Sequence, residues 1–181
     1  FYNPAESGKV YVAVRFGAGL KALPANKVTA SWAGGAALYA SGIGELNQDK
    51  LDRMTSGKKV GFAFEAAEDA FVVRGQTRAS DLSDQLRLIA TKLVAPRWDA
   101  APVQRAKAAF LAGYDSFTSS PQGVLSRDLQ GLLHGGDARW ATPDRAQIEA
   151  LTPKAFKALW QPLLASGPIE VMVFGDVPWD Q

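Results

Sequence analysis

The chain has 181 residues, of which 47% are apolar and 21% are charged, and its formal net charge is +2. This composition is typical of a folded globular protein and excludes an intrinsically disordered one. The charge is too small to indicate binding to nucleic acid or an anionic membrane, and we expect the adjacent Lys58 and Lys59 to lie on a solvated face. No apolar run approaches the roughly 20 residues of a membrane span. Cysteine is absent, which excludes disulfides, thiolate metal sites and cysteine nucleophiles.

The hydrophobic period changes along the first 40 residues. Alternating apolar side chains over 10–16 predict a strand with one buried face. From residue 27 the apolar side chains recur at helical spacing, which predicts a helix to about residue 40. Gly34 and Gly35 fall inside this helix, where each glycine costs about 1 kcal/mol relative to alanine. We therefore expect another element to pack closely against them.

A turn, a short helix and a hairpin follow. The turn is predicted over 41–44, and Asn47 predicts the cap of a short helix over 48–54. Alternation over 60–64 predicts a second strand, and an apolar run over 70–75 predicts a third. The polar link between these two runs is short, which is typical of a hairpin.

The second half of the chain is mostly helical. A stripe of apolar residues over 82–93 predicts a helix that ends before Pro96, and Pro102 begins a helix that carries Phe110, Tyr114 and Phe117. Three further helices are predicted at Ser120-Pro121, Thr142-Pro143 and Thr152-Pro153, and a last strand at 169–173.

This order of elements predicts the α+β class: a single domain over 1–181 with a mostly antiparallel sheet and helices packed on one face. The strands at 9–16 and 168–174 should share that sheet. The chain begins without methionine or a signal sequence, so we expect a piece of a longer protein. The side chains expected to be buried are those of Phe62, Phe64, Leu86, Ile89, Val171 and Val173.

The glycine-rich stretch after the first helix does not match a catalytic or nucleotide-binding motif. Gly42-Ile43-Gly44 begins a dinucleotide-binding pattern, but Asn47 stands where the third glycine is needed. A nucleophile elbow requires glycine two residues before the serine, and Tyr39 precedes Ser41 at that position. The stretch is interpreted as the end of a helix and a tight turn.

No metal or catalytic constellation is apparent elsewhere. His134 is the only histidine, and its place at a helix end indicates a structural or solvated role. Asp49 and Asp52 share a helix face but lack the further oxygen ligands of a calcium site, so we expect them to be solvated. A small-molecule enzyme that uses His134 is a remote alternative, which His134→Ala would test.

Several stretches together resemble the pitrilysin/insulinase family of zinc metallopeptidases, and most of all the non-catalytic domain of its C-terminal half. They are the Gly-Ile-Gly-Glu-Leu turn at 42–46, the "GKKV" segment that leads into the hairpin, "APRWD" between the long helices, and "GPIEVMVFGDV" at the end. The resemblance implies the family's α+β fold over nearly all of the chain.

The resemblance also implies where chemistry would lie. Active domains of this family carry H-x-x-E-H on the first helix and a third zinc ligand, a glutamate, on a long downstream helix. Here the first helix reads "VTASWAGGAALYAS" and the long helix reads "APVQRAKAAFLAGYDSF", without histidine or glutamate in either. We therefore expect no catalytic, cofactor-binding or metal-binding residue in this chain, and zinc only in the N-terminal half of the parent protein.

The leading interpretation is a non-catalytic structural domain of a zinc endopeptidase. It would form part of the chamber that holds the peptide substrate, and would dock on neighbouring domains of the parent. The alternative is a structural or assembly subunit of the same superfamily without peptidase activity. An H-x-x-E-H domain upstream in the parent would favour the peptidase. Similarity to exported bacterial members suggests the periplasm.

Overall fold

A four-stranded antiparallel sheet with helices on one face makes up the described part of the chain. A computed structural model describes residues 7–177. The strands are β1 (Val10–Phe16), β2 (Ala63–Ala66), β3 (Phe71–Thr77) and β4 (Ile169–Gly175). The helices are α1 (Gly34–Tyr39), α2 (Gln48–Met54), α3 (Leu82–Val94), α4 (Ala100–Gly113), α5 (Ser116–Ser119), α6 (Pro121–Leu133), α7 (Arg145–Glu149) and α8 (Pro153–Leu164).

The sheet has the order β2-β3-β1-β4, and every neighbouring pair is antiparallel. Along β1 every second side chain is buried, as the alternation predicted. Val14 lies opposite Val73 in β3, and Phe16 lies opposite Phe71, so these apolar side chains share the helix-covered face. The α+β class, the antiparallel sheet and the sharing of one sheet by the first and last strands are confirmed.

The expected burial is correct for Phe62 and Ile89, correct only in part for Phe64 and Leu86, and wrong for the two valines of β4. Phe62 and Ile89 are buried, and Phe64 and Leu86 are partly buried against the core. Val171 and Val173, by contrast, keep 55% and 39% of their surface exposed. They lie beside Val14 and Val12 on the helix-facing side, but β4 is an edge strand that the described helices do not cover.

The second strand begins later than its alternation over 60–64 predicted, because a side chain takes the place of a strand partner before Ala63. The backbone N–H of Gly61 donates to Oε1 of Gln85 at 2.8 Å, and Nε2 of Gln85 donates to the Gly61 carbonyl at 2.7 Å. Gln85 is fully buried in α3. The segment before β2 is therefore joined to a helix, and ladder pairing starts only at Ala63.

The first helix is also shorter than predicted. Residues 27–29 are not helical, and a 3₁₀ turn at Ala30–Ala33 leads into α1. Thr29 has an extended backbone, and its side chain caps nothing. Val28 and Thr29 are β-branched residues, which are weak helix formers, and this accounts for the non-helical backbone before Ala30.

Capping residues position most of the later helices as predicted. Asn47 accepts a hydrogen bond from the Lys50 N–H at the start of α2, and Ser120 and Thr152 cap α6 and α8. The helix predicted to start at Thr142-Pro143 starts later: α7 begins at Arg145, and Asp144 caps it in a capping box with Gln147. The helix expected through Phe117 divides into α4 and α5. None of the helices in residues 7–177 has the length and hydropathy to span a bilayer.

Candidate functional site

The first helix and α4, where the resemblance implies zinc ligands, lie side by side in the core. Helix α1 packs against both β2 and α4. The rings of Trp32 and Phe110 join the preceding 3₁₀ turn to α4, with centroids 4.8 Å apart. Ala33 and Ala37 are buried on one side of this contact, and Ala106 on the other. Apolar packing therefore holds together the two elements that a metal would bridge in an active domain.

Gly34 is where the core comes closest to the backbone of the first helix. The indole of Trp160, from α8, lies directly against it, and the side chain of Trp160 is fully buried. A Cβ on residue 34 would lie 2.9 Å from Cε2 and 3.0 Å from Cη2 of that ring, and closer still to Cζ2. The close packing expected at Gly34 is thus observed, and Trp160 fills the space that a side chain here would need.

The residues present do not fit a zinc ion at this position. Neither the 3₁₀ turn with α1 nor α4 carries histidine, aspartate, glutamate or cysteine. Within residues 7–177 no three such side chains gather closely enough to hold a metal ion. A zinc site needs three protein ligands and an open position when it is catalytic. These two helices supply none of those ligands.

Backbone amides of the turn after α1 are hydrogen-bonded to carbonyl groups of this chain, which argues against the nucleotide-binding interpretation. The Ile43 N–H donates to the Leu46 carbonyl, and the Gly44 N–H donates to the Ala95 carbonyl, each at 2.9 Å. Ser41 is buried, and its hydroxyl donates to the Ala37 carbonyl. The amides of Ile43 and Gly44 are therefore not free to bind a phosphate.

A buried lysine holds the same turn from beneath. Nζ of Lys92, in α3, donates to the carbonyl of Ser41 and, at 3.1 Å, to that of Gly42. It lies over the ring of Phe62, beside a cavity of about 60 Å³ that α2 also lines. Burial lowers the pKa of Lys92 to about 8, and the charge of Asp99 opposes that shift. These two hydrogen bonds, which we call the Lys92 clamp, hold the turn after α1 in place, although folding removes the ammonium group from water.

Lys92→Met should change how stability depends on pH. Between pH 8 and 10.5 the unfolded chain holds a proton on Lys92 that the folded chain does not, so this group's contribution to stability rises with pH. Relative to Lys92→Met, the wild-type chain should gain about 2 kcal/mol between pH 7 and pH 10. Urea unfolding of both proteins at several pH values measures this, with the exposed Lys154→Met as matched control. Parallel curves for wild type and Lys92→Met would contradict the assignment.

The other residues considered from the sequence lie apart from this region. The ring of His134, at the end of α6, stacks on that of Trp140 with centroids 4.1 Å apart. No hydrogen bond joins its imidazole to a serine or carboxylate within the described residues. Asp49 and Asp52 are exposed on α2, and Asp52 accepts a hydrogen bond from Gln48.

A groove of about 300 Å³ opens beside the first helix. Ser31 and Trp32 line one side, and the other sides are formed by α4, α5, α6 and the segment before α7. Arg139 lies on its rim, with its guanidinium held by Asp137, which lowers the pKa of that carboxyl group. Aromatic rings and hydroxyl-bearing residues line this groove, but the described residues of its lining include no histidine, lysine or carboxylate that could activate a hydroxyl as a nucleophile.

Trp160, Lys92 and Gln85 shape this region, and none of them was predicted from the sequence to do so. Trp160 had a usable signal, because it follows Phe156 by four residues on a helix with a clear start. The two polar residues had none, because a lysine or glutamine within a helical stripe is ordinarily exposed.

Comparison with known proteins gives structural matches only. The sequence matches no protein-family model and no curated protein. The periplasmic protease PqqL of Escherichia coli is similar over 99% of this chain and 20% of its own, with 17% identity and a TM-score of 0.75. An inactive peptidase M16 domain from Pseudomonas fluorescens is similar over 96% of this chain and 42% of its own, with 19% identity and a TM-score of 0.72.

The fold is that of an M16 peptidase domain. M16 is the designation of the pitrilysin/insulinase family that the sequence resembles, so that recognition is confirmed at the level of the fold. The ferredoxin protease FusC, solved with Arabidopsis ferredoxin, gives a TM-score of 0.69 and 20% identity over 98% of this chain. This M16-like chain spans about one fifth of the length of FusC and of PqqL.

Proposed function

We propose that this chain is a non-catalytic structural domain of a zinc-dependent endopeptidase of the M16 family. One observation carries the proposal: the indole of Trp160 packs directly against Gly34 of the first helix, the helix that would carry zinc ligands in an active domain. Neither this helix nor α4 offers a zinc ligand. The inactive M16 domain among the similar structures supports it as well.

The contribution of such a domain is its shape and its interfaces. It forms part of the wall of the chamber that encloses the peptide substrate, and it docks on the other domains of the parent. The zinc belongs to the N-terminal half of the parent, and this domain needs no cofactor. Enclosure positions the peptide and excludes water from the distant metal. We propose a periplasmic location for the parent, which the likeness of this chain to the periplasmic protease PqqL supports.

The proposal predicts a large effect of removing the domain and small effects of changing its polar residues. Deleting residues 9–175 from the parent should abolish peptide cleavage, while zinc stays bound in the N-terminal half. Ser31→Ala and His134→Ala should each change the chemical step by less than about tenfold, or ~1.4 kcal/mol. The measurements are kcat, kcat/KM and zinc content of the full-length protein and the three variants.

Two outcomes would contradict the proposal. A thousandfold loss from Ser31→Ala or His134→Ala, with the fold intact, would mean that this domain takes part in the chemistry. A parent that has neither an H-x-x-E-H domain nor peptidase activity would favour the alternative, a structural or assembly subunit of the same superfamily.

A further inference from the structure

Helix α6 presents its apolar side chains to solvent. Leu125, Leu129 and Leu132 follow one another at a spacing of four and three residues and so lie on one face, and Leu133 adjoins them. Their exposed fractions are 48%, 37%, 74% and 69%, and no residue of α6 is buried. We call these four residues the α6 leucine stripe.

The opposite face of α6 is the one that contacts the rest of the chain. There the hydroxyl of Thr142 donates to the carbonyl of Arg127 at 2.8 Å, and Gly131 lies next to Ala141. Surface helices ordinarily bury their apolar face and expose their polar one. In α6 small and polar groups face inward and leucines face outward, which is the arrangement of a helix whose apolar partner lies outside this domain.

The surroundings of the stripe indicate what kind of partner it fits. Arg127 and Asp128 pair with each other through two hydrogen bonds of 2.7 and 2.8 Å, so the helix offers no net charge at this point. A contiguous exposed apolar patch is typical of an interaction surface. The stripe therefore fits a partner with an apolar surface of complementary shape, and charge contributes little to this contact.

The comparisons indicate where such a partner comes from. In PqqL and FusC a unit of this fold accounts for one fifth of a single polypeptide. The first half of PqqL alone also contains the fold, with a TM-score of 0.68 over 97% of this chain. We infer that the α6 leucine stripe packs against another domain of the same parent polypeptide. This inference rests on the proposed function, which places the chain in a multidomain peptidase.

Thiol labelling of the parent protein tests the inference, because this chain contributes no cysteine of its own. Leu125→Cys and Leu132→Cys place a thiol on the stripe, and Ser83→Cys places one on the exposed side of α3 as matched control. In the native parent the two stripe thiols should react with a maleimide at least tenfold more slowly than the Ser83→Cys thiol. In urea all three should react at the same rate.

Equal labelling of all three thiols in the native parent would overturn the inference. Protection that disappears on dilution would also overturn it, because it would identify a second copy of the protein as the partner. Peptidase activity of the same preparations separates this result from the proposed function. If the parent is active and the stripe thiols are unprotected, only the inference about the α6 leucine stripe is refuted. If the parent is inactive and the stripe thiols are protected, only the peptidase assignment is refuted.

Discussion

Replacing Trp160 with alanine should lower the free energy of unfolding by about 3–5 kcal/mol, the usual cost of removing a large buried aromatic side chain. The indole is fully buried, and its ring lies 5.2 Å, centroid to centroid, from those of both Phe64 and Phe71. It thereby joins α8 to β2, β3 and the first helix. Within the described residues its Nε1 has no hydrogen-bond partner, so packing accounts for the effect.

Urea unfolding of Trp160→Ala and wild type measures this difference, and Trp140→Ala is the matched control. Trp140 is only partly buried and stacks on His134 at the end of α6. Its removal should cost less than about half as much, because less apolar surface returns to water. A cost for Trp160→Ala no greater than that for Trp140→Ala would refute the central role of the indole.

Gly34→Ala and Gly35→Ala should have opposite effects, although the residues are neighbours in one helix. At Gly34 the added methyl group must displace a buried indole, and overpacking of this kind costs about 1–3 kcal/mol. At Gly35 the nearest atom to the new Cβ is the Phe64 carbonyl oxygen at 3.3 Å, which a small shift accommodates. Alanine is the better helix former by up to about 1 kcal/mol, so Gly35→Ala should be neutral or stabilising.

Chemical unfolding of the two variants under identical conditions gives the comparison. The expected gap between them is about 2 kcal/mol. If Gly34→Ala is as stable as Gly35→Ala, the indole does not occupy the space beside the first helix as described. That outcome would also weaken the proposal of a non-catalytic domain, because the space would then be open to a larger side chain at residue 34.

The Trp160 and Gly34 variants and the proposed function concern the same place in the fold. An active domain of the M16 type needs room for imidazoles and a carboxylate between its first helix and its long helix. Here buried alanines and the Trp32–Phe110 ring pair lie where the first helix meets α4, and Trp160 packs against Gly34. Because protein interiors are closely packed, a metal ion placed there would require several of these side chains to move.

Much of the fold could be predicted from the sequence because its signals act over a few residues. The alternation in β1 and the stripe of α3 are periodic patterns within one element. Asn47, Ser120 and Thr152 each accept a hydrogen bond from the amide three residues further on, so these helix starts can be recognised from local sequence. The lack of ligand residues on the first helix and α4 is likewise a property of the sequence alone.

The tertiary structure decided which of these elements are covered, and by what. Val171 and Val14 alternate alike along their strands, but among the described helices none covers Val171. Both β2 and β4 are edge strands, yet α1 packs on β2 and leaves β4 uncovered. The contact of Trp160 with Gly34 joins residues more than 120 positions apart, and the Lys92 clamp joins α3 to the turn after α1. Burial and pKa depend on neighbours brought close by folding, and no local pattern in the chain records them.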